Sequence, residues 1–198
     1  MVNKNTKERL LEAALDLFSE KGYNATSIDE IAEAVGIKGP SVYKYFKSKE
    51  NLILELSEIC DTAYRNSMAL NSRRIDINSA REFKEFSLGN IRFTIVTDKV
   101  RKLRKMMTIE QFRDERFSRN ATKYQYDNIN GMFTGIFADL IKKGMVEAHD
   151  PEQLALMYYS PVSVMIQICD REPDRIDECM KKIEDNIDLF IDKFFIKK

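Results

Sequence analysis

The stretch Gly22–Leu52, GYNATSIDEIAEAVGIKGPSVYKYFKSKENL, decides the fold of this chain. Thr26 or Ser27 opens a helix, and Ser27 followed by Glu30 fits a capping box, in which hydroxyl and carboxylate satisfy orphan amides reciprocally. Ile28, Ile31, Ala32 and Val35 recur at i, i+3, i+4 and i+7, so one face is buried, and Gly36 ends the helix. After a short connection, Gly39-Pro40 begins a third helix, with proline in the first turn where its missing amide costs nothing. That helix is expected to end near Phe46, since Ser48 can cap a fourth helix from Lys49 onward, with Leu52, Leu56 and Ile59 on its buried side. Two short helices joined by a tight glycine-containing turn make a helix-turn-helix.

Working outward, Leu10, Leu11, Ala14, Leu15, Leu17 and Phe18 form the stripe of a first helix that Gly22 stops. Further helices are expected at 79–97, 99–114, 117–143, 151–170 and 173–196, with connections at 71–78 and 143–151. The β-branched run Ile91–Val96 reads as helix, because a lone strand would have no partner. With 198 residues, 43% of them hydrophobic, the chain can bury a real core. Seven glycines and four prolines offer too little turn chemistry for a β-sandwich. The expected class is all-α, with about nine helices.

Thirty-two basic residues balance thirty-two acidic ones, which excludes a globally basic nucleic-acid coat or polybasic membrane binder. Locally, however, Lys38–Lys49 holds four lysines and no carboxylate. Val42 and Phe46 point inward, which turns Gly39, Ser41, Tyr43, Lys44 and Tyr45 outward or sideways. Small residues at the front of such a helix permit close approach to base edges, and hydroxyl and ammonium groups reach phosphates. Covering the edge of a small core is the competing role of the two tyrosines.

Catalytic chemistry has no positive support. The single histidine, His149, sits beside Asp150 and Pro151 as a loop residue, and no phosphate loop or nucleophile elbow occurs. No metal site, cofactor or catalytic residue is expected. Cys60, Cys169 and Cys179 form no Cys-x-x-Cys pair, and the chain starts without a secretory signal. The apolar window Leu154–Cys169 is shorter than the ~20 residues of a membrane span. A cytoplasmic, membrane-free protein is expected.

The run Leu11-x-x-Ala14-x-x-Leu17-Phe18, Gly22-Tyr23, Thr26-Ser27-Ile28-x-x-Ile31-Ala32, Val35-Gly36-Ile37, Ser41-Val42-Tyr43-x-Tyr45-Phe46-Lys47-Ser48-Lys49-Glu50-x-Leu52 resembles the TetR family of transcriptional regulators over about residues 6–56. The resemblance implies an N-terminal DNA-binding domain, here 1–48 with helix 4 from 49 as connector. It also implies an effector-binding and dimerisation domain, here 49–198. Carried over by position, Thr26 and Ser27 would contact phosphate from the start of helix 2. Gly39, Pro40 and Ser41 would sit nearest the bases at the start of helix 3, Tyr43 and Tyr45 would contact the backbone, and Lys49 would contact phosphate from the start of helix 4; Lys38 and Lys44 complete the expected DNA-binding set. The Gly39-Pro40 pair departs from the side-chain donors many members carry there, which leaves base reading to Ser41, Lys44 and apolar contacts with thymine methyls.

The implied function is a ligand-responsive repressor of a palindromic operator, released by a small apolar or aromatic effector of unknown identity. Candidate pocket residues are Met106, Phe112, Tyr124, Met132, Phe133, Tyr158 and Met165, all of which can equally be ordinary core. In the last helix Ile176, Met180, Ile183, Ile187, Phe190 and Phe194 alternate 4, 3, 4, 3, 4, an a/d seam. With Met157, Pro161 and Val164 of the preceding helix they form the expected homodimer interface. The rival is an all-α enzyme or adaptor that uses the helix-turn-helix only for packing, and it predicts no salt-dependent DNA binding.

The basic stretch 99–119 is expected to be a solvated helix face. An acidic effector or the DNA itself are its other possible partners.

Overall fold

A computed structural model describes residues 5–71, 76–113 and 115–197. Residues 72–75, inside the expected 71–78 connection, and Asp114 of the basic stretch lie outside the described residues. Among the described residues ten α-helices are found, and the β-structure consists of one isolated antiparallel bridge, Val146 to Phe195. The class is all-α, as the periodicity implies.

The chain forms two compact units, one from residues 1–66 and 98–121, the other from 67–97 and 122–198. In the first, α1 (Thr6–Lys21) starts with a capping box between Asn5 and Glu8, and stops at Gly22. Gly22 takes φ +91°, a conformation that side chains resist. Helix α2 (Ile28–Ala34) carries the expected Ser27–Glu30 box. Helix α3 is one α-turn, Gly39–Val42, continued by tighter turns in which the Lys44 and Tyr45 amides bond back to Ser41 and Val42 carbonyls. It is shorter than expected. The chain must draw Phe46 into the core and reverse at Ser48, whose hydroxyl accepts the Asn51 amide at 3.1 Å, before α4 (Lys49–Asn71) begins.

Two later helices complete this core. α6 (Asp98–Glu110) and α7 (Glu115–Thr122) bring Leu103, Met106 and Phe117 against Leu10, Phe18, Ile31, Val42 and Leu52. Burial of these side chains at ~1.5–3 kcal/mol each is the main force holding the helix-turn-helix in shape. Lys102 of α6 reaches Asp16 of α1 at 2.5 Å and Asp98 at 2.6 Å, so part of the basic stretch is neutralised within its own unit.

The second unit contains α5 (Ala80–Val96), α8 (Asn128–Lys142), α9 (Pro151–Arg171) and α10 (Ile176–Phe194). The β-branched run lies within α5, where Ile91 and Ile95 are buried. The expected single helix over 117–143 is interrupted by a π-helical turn, Lys123–Asp127, between α7 and α8. An aromatic cluster fills the core: Tyr158 has ring centroids of Phe133, Phe83 and Phe190 at 4.5, 5.4 and 5.4 Å.

The a/d seam of α10 is core. Ile183, Ile187, Phe190 and Phe194 are buried within their own unit, because the stripe packs on α9 and α5. Ile176 and Met180 lie partly buried against the same core. On α9, by contrast, Met157 (55%) and Val164 (51%) are exposed, as is Pro161.

Candidate nucleic-acid interface

The first unit presents residues 38–47 as a continuous surface. Val42 is fully buried and Phe46 nearly so, which anchors the segment and turns the rest outward. Lys38, Pro40, Lys44 and Lys47 are exposed, Tyr43 is 57% and Tyr45 42% exposed, and Ser41 is half-buried. Such exposure of two tyrosines beside an apolar anchor leaves both hydroxyls accessible to a ligand.

Gly39 is placed differently from the sequence expectation. It is buried, and a Cβ there would lie 1.8 Å from the Asp29 carboxylate oxygen. The glycine therefore seats α3 against α2, and the exposed positions of α3 begin at Pro40.

Several lysines elsewhere in the unit are neutralised. Lys7 pairs with Glu55 at 2.6 Å, Lys21 with Glu30, and Lys102 with two aspartates. Among the described residues, Lys38, Lys44 and Lys47 make no ion pair. A patch of unneutralised ammonium groups interleaved with phenols is the donor set that phosphates and base edges require.

Two expected phosphate contacts are spent internally. Thr26 is 1% exposed, and its hydroxyl donates to the Gly22 carbonyl at 2.8 Å. Lys49 donates to the Tyr23 and Thr26 carbonyls at 2.8 and 2.9 Å, and its ammonium stands 4.3 Å from the Tyr23 ring centroid. Burial lowers the Lys49 pKa, opposed by the Glu110 and Glu30 carboxylates. Its charge holds the turn between α1 and α2. Ser27 stays exposed, but its hydroxyl is engaged with Glu30. Lys47, two residues earlier than Lys49, is exposed and makes no ion pair among the described residues.

Glu110, an acidic residue within the basic stretch 99–119, has a structural role. Its side chain is completely buried and accepts the Asn24 amide at 3.3 Å and the Asn24 side-chain nitrogen at 2.9 Å. A Cβ on Gly22 would lie 2.4 Å from the same carboxylate. The signal was its spacing: with Leu103 and Met106 it completes an inward stripe at i, i+3 and i+7.

The expected pocket residues are divided between the two units. Met106 belongs to the first unit's core, and Phe112 is 92% exposed beyond the end of α6 in that unit. Phe133 and Tyr158 share the second unit's core, with Met132 and Met165 packed against it, while Tyr124 is half-buried in the π-turn. Among the described residues no cluster of metal-ligating side chains occurs, and no helix is long and apolar enough to cross a membrane.

Residues 10–56 match the family model of bacterial regulatory proteins, tetR family. The biofilm operon icaADBC negative transcriptional regulator IcaR of Staphylococcus aureus (strain Newman) is 35% identical over 68 residues, 34% of this chain and 37% of that protein. The transcriptional regulator AcrR of Shigella flexneri is 37% identical over 59 residues, 30% of this chain and 27% of its own length. The matched region thus spans well under half the length of either relative. Over nearly the whole chain the fold is that of SmeT, the repressor of the Stenotrophomonas maltophilia multidrug efflux pump SmeDEF. Its TM-score is 0.70 at 20% identity, covering 98% of this chain and 92% of SmeT, which is also known in complex with triclosan.

Proposed function

We propose, from the match of residues 10–56 to the family model of bacterial regulatory proteins, tetR family, that the protein is a DNA-binding transcriptional repressor controlled by a small-molecule effector. The observation that carries the reading is the surface at 38–47, where lysines without ion pairs and exposed tyrosines surround a helix anchored by Val42 and Phe46. Pro40, Ser41 and Lys44 read base edges, and Lys38, Tyr43, Tyr45 and Lys47 hold phosphates. Thr26, Gly39 and Lys49 support this surface from within, and Ser27 contributes through the amide end of α2.

One short helix reads only a few base pairs, so a homodimer on a palindromic operator follows, with recognition helices ~34–36 Å apart. Its interface is formed by the exposed apolar residues of α9, Met157, Pro161 and Val164, flanked by Ile176 and Met180 of α10. The descriptions of IcaR as a negative regulator and of SmeT as a repressor support the sign of regulation. The SmeT–triclosan complex supports a small, largely apolar effector, whose place here is the aromatic core of the second unit. The effector prefers a dimer whose recognition helices do not fit successive major grooves, and a coupling of ~1–3 kcal/mol gives a 5–150-fold response.

Selection of bound fragments from the source genome, followed by anisotropy titration at several salt concentrations, tests the reading. Expected is a palindromic footprint and an affinity that drops ~10³–10⁵-fold between 50 and 200 mM salt. Binding without sequence preference, or no binding at low salt, would refute it.

A further inference from the structure

The start of α3 is less bare than the pair Gly39-Pro40 suggests. Gly39 has no side chain, but a neighbour from α2 fills the space. A Cβ on Gly39 would collide with a carboxylate oxygen of Asp29 and stand 3.0 Å from its carboxylate carbon, whereas the Asp29 Cα is 3.8 Å away. The carboxylate thus lies where a side chain of residue 39 would project. It covers the glycine, which is buried, while Asp29 itself is exposed.

Two further observations set this carboxylate apart. Asp29 and Glu30 share the first turn of α2, yet Glu30 alone makes the cap, accepting from the Ser27 amide and hydroxyl and pairing with Lys21. Asp29 makes no hydrogen bond or ion pair among the described residues, and Lys38, next to Gly39 in the chain, leaves it unpaired. An unneutralised carboxylate at the edge of a lysine surface also repels phosphate, so it weakens binding to any duplex. A group that costs affinity everywhere, placed beside the reading helix, fits a device for discrimination.

We propose that Asp29 is a base-reading residue, whose carboxylate accepts a hydrogen bond from the N4 amino group of a cytosine in the major groove. The inference rests on the DNA-binding reading above, and it adds to Pro40, Ser41 and Lys44 an acceptor supplied by a different helix. The choice of base follows from the chemistry. A carboxylate only accepts, and the polar atoms that guanine and thymine show in the major groove are acceptors too. Adenine sets its N6 amino group beside the N7 acceptor, which repels the second carboxylate oxygen. Cytosine presents N4 with no acceptor on its own major-groove edge. The glycine has the matching role, since any side chain at 39 would push the carboxylate out of the reading position.

Anisotropy titration of the full chain tests this on the selected operator, with all four base pairs placed in turn at each half-site position, and on an unrelated duplex. The wild type is expected to prefer cytosine about 5–10-fold at one position per half-site, as for one charge-assisted hydrogen bond to a base. Asp29→Ala should abolish that preference alone and bind the unrelated duplex at least as tightly as the wild type. Gly39→Ala keeps Asp29 but forces its carboxylate aside, so it should lose the same preference. Added to Asp29→Ala, it should change nothing further at that position. A purely structural Asp29 would act on all duplexes alike and leave the base profile as it was. Unchanged base preferences in Asp29→Ala, equal losses on every duplex, a lost preference for adenine in place of cytosine, or retention of the preference in folded Gly39→Ala would overturn the proposal. Sequence-specific binding with an unaltered Asp29→Ala profile sinks the role of Asp29 alone. Absence of sequence preference in the wild type sinks the DNA-binding reading and this inference with it.

Discussion

Replacing Lys49 with methionine should weaken folding and leave the salt dependence of DNA binding untouched. The ammonium makes hydrogen bonds of 2.8 and 2.9 Å to the Tyr23 and Thr26 carbonyls and lies over the Tyr23 ring. Charge-assisted bonds are worth ~1.5 kcal/mol each at the lower end, and the ring contact about 0.5. Methionine keeps most of the apolar stem and avoids the cost of desolvating an ammonium, which returns roughly 1 kcal/mol. The net loss is about 2–3 kcal/mol. With a urea slope near 2 kcal/mol/M, the midpoint moves down by about 1–1.5 M, read by circular dichroism. The second arm is anisotropy against salt below the unfolding range. Folded Lys49→Met should keep the wild-type slope, whereas Lys44→Ala or Lys47→Ala should each lower it by ~0.9 per contact removed. A Lys49 variant with normal stability and a reduced slope would refute the internal role and restore that residue to the phosphate surface.

Further outcomes follow from the same network and from the second unit. Glu110→Ala removes a fully buried carboxylate that holds the Asn24 backbone and side-chain amides, and should cost ~3 kcal/mol in urea unfolding; wild-type stability would contradict its role. Glu30 titrates at about 2 instead of 4.5, because Lys21 and then the Ser27 amide and hydroxyl hold its charged form. Its folded pKa is depressed, so its contribution is complete above about pH 4.5 and is lost as pH falls toward 2. Glu30→Gln should flatten that part of an acid-unfolding profile, and an unchanged profile would count against the cap. Val164→Glu, on the exposed face of α9, should give monomers in sedimentation with helix content retained. Ile187→Asp, at a fully buried position, should instead lose the fold through an unpaired core carboxylate.

The helix-turn-helix was legible because its signals are local. Ser27 with Glu30, the two positive-φ glycines at 22 and 36, and the inward pair Val42 and Phe46 all act within a few residues of themselves. The helical state of Ile91–Val96 was legible for a related reason, since Ile91 and Ile95 already share one face. What escaped depends on distant partners. Nothing in a count of lysines separates Lys49, bonded to carbonyls at 23 and 26, from Lys47, which has no ion pair among the described residues. The seam of α10 announced burial correctly but could not say against what, and the answer is the ring of Tyr158 and its neighbours. Met106 and Phe112 have the composition of a pocket, yet one closes the first unit's core and the other faces solvent.

The first unit's split construction has a consequence for synthesis. Its core receives Leu103, Met106 and Phe117 only from the segment 98–121, after the chain has passed through 67–97 of the other unit. A nascent chain leaving the ribosome at ~5–20 residues per second therefore carries the Leu10, Phe18 and Val42 surface uncovered for several seconds. During that interval the segment 38–47 is made but not yet braced. Grafting residues 1–66 onto another helical scaffold would make that interval permanent, so a transplant of the 38–47 surface has to carry α6 and α7 with it.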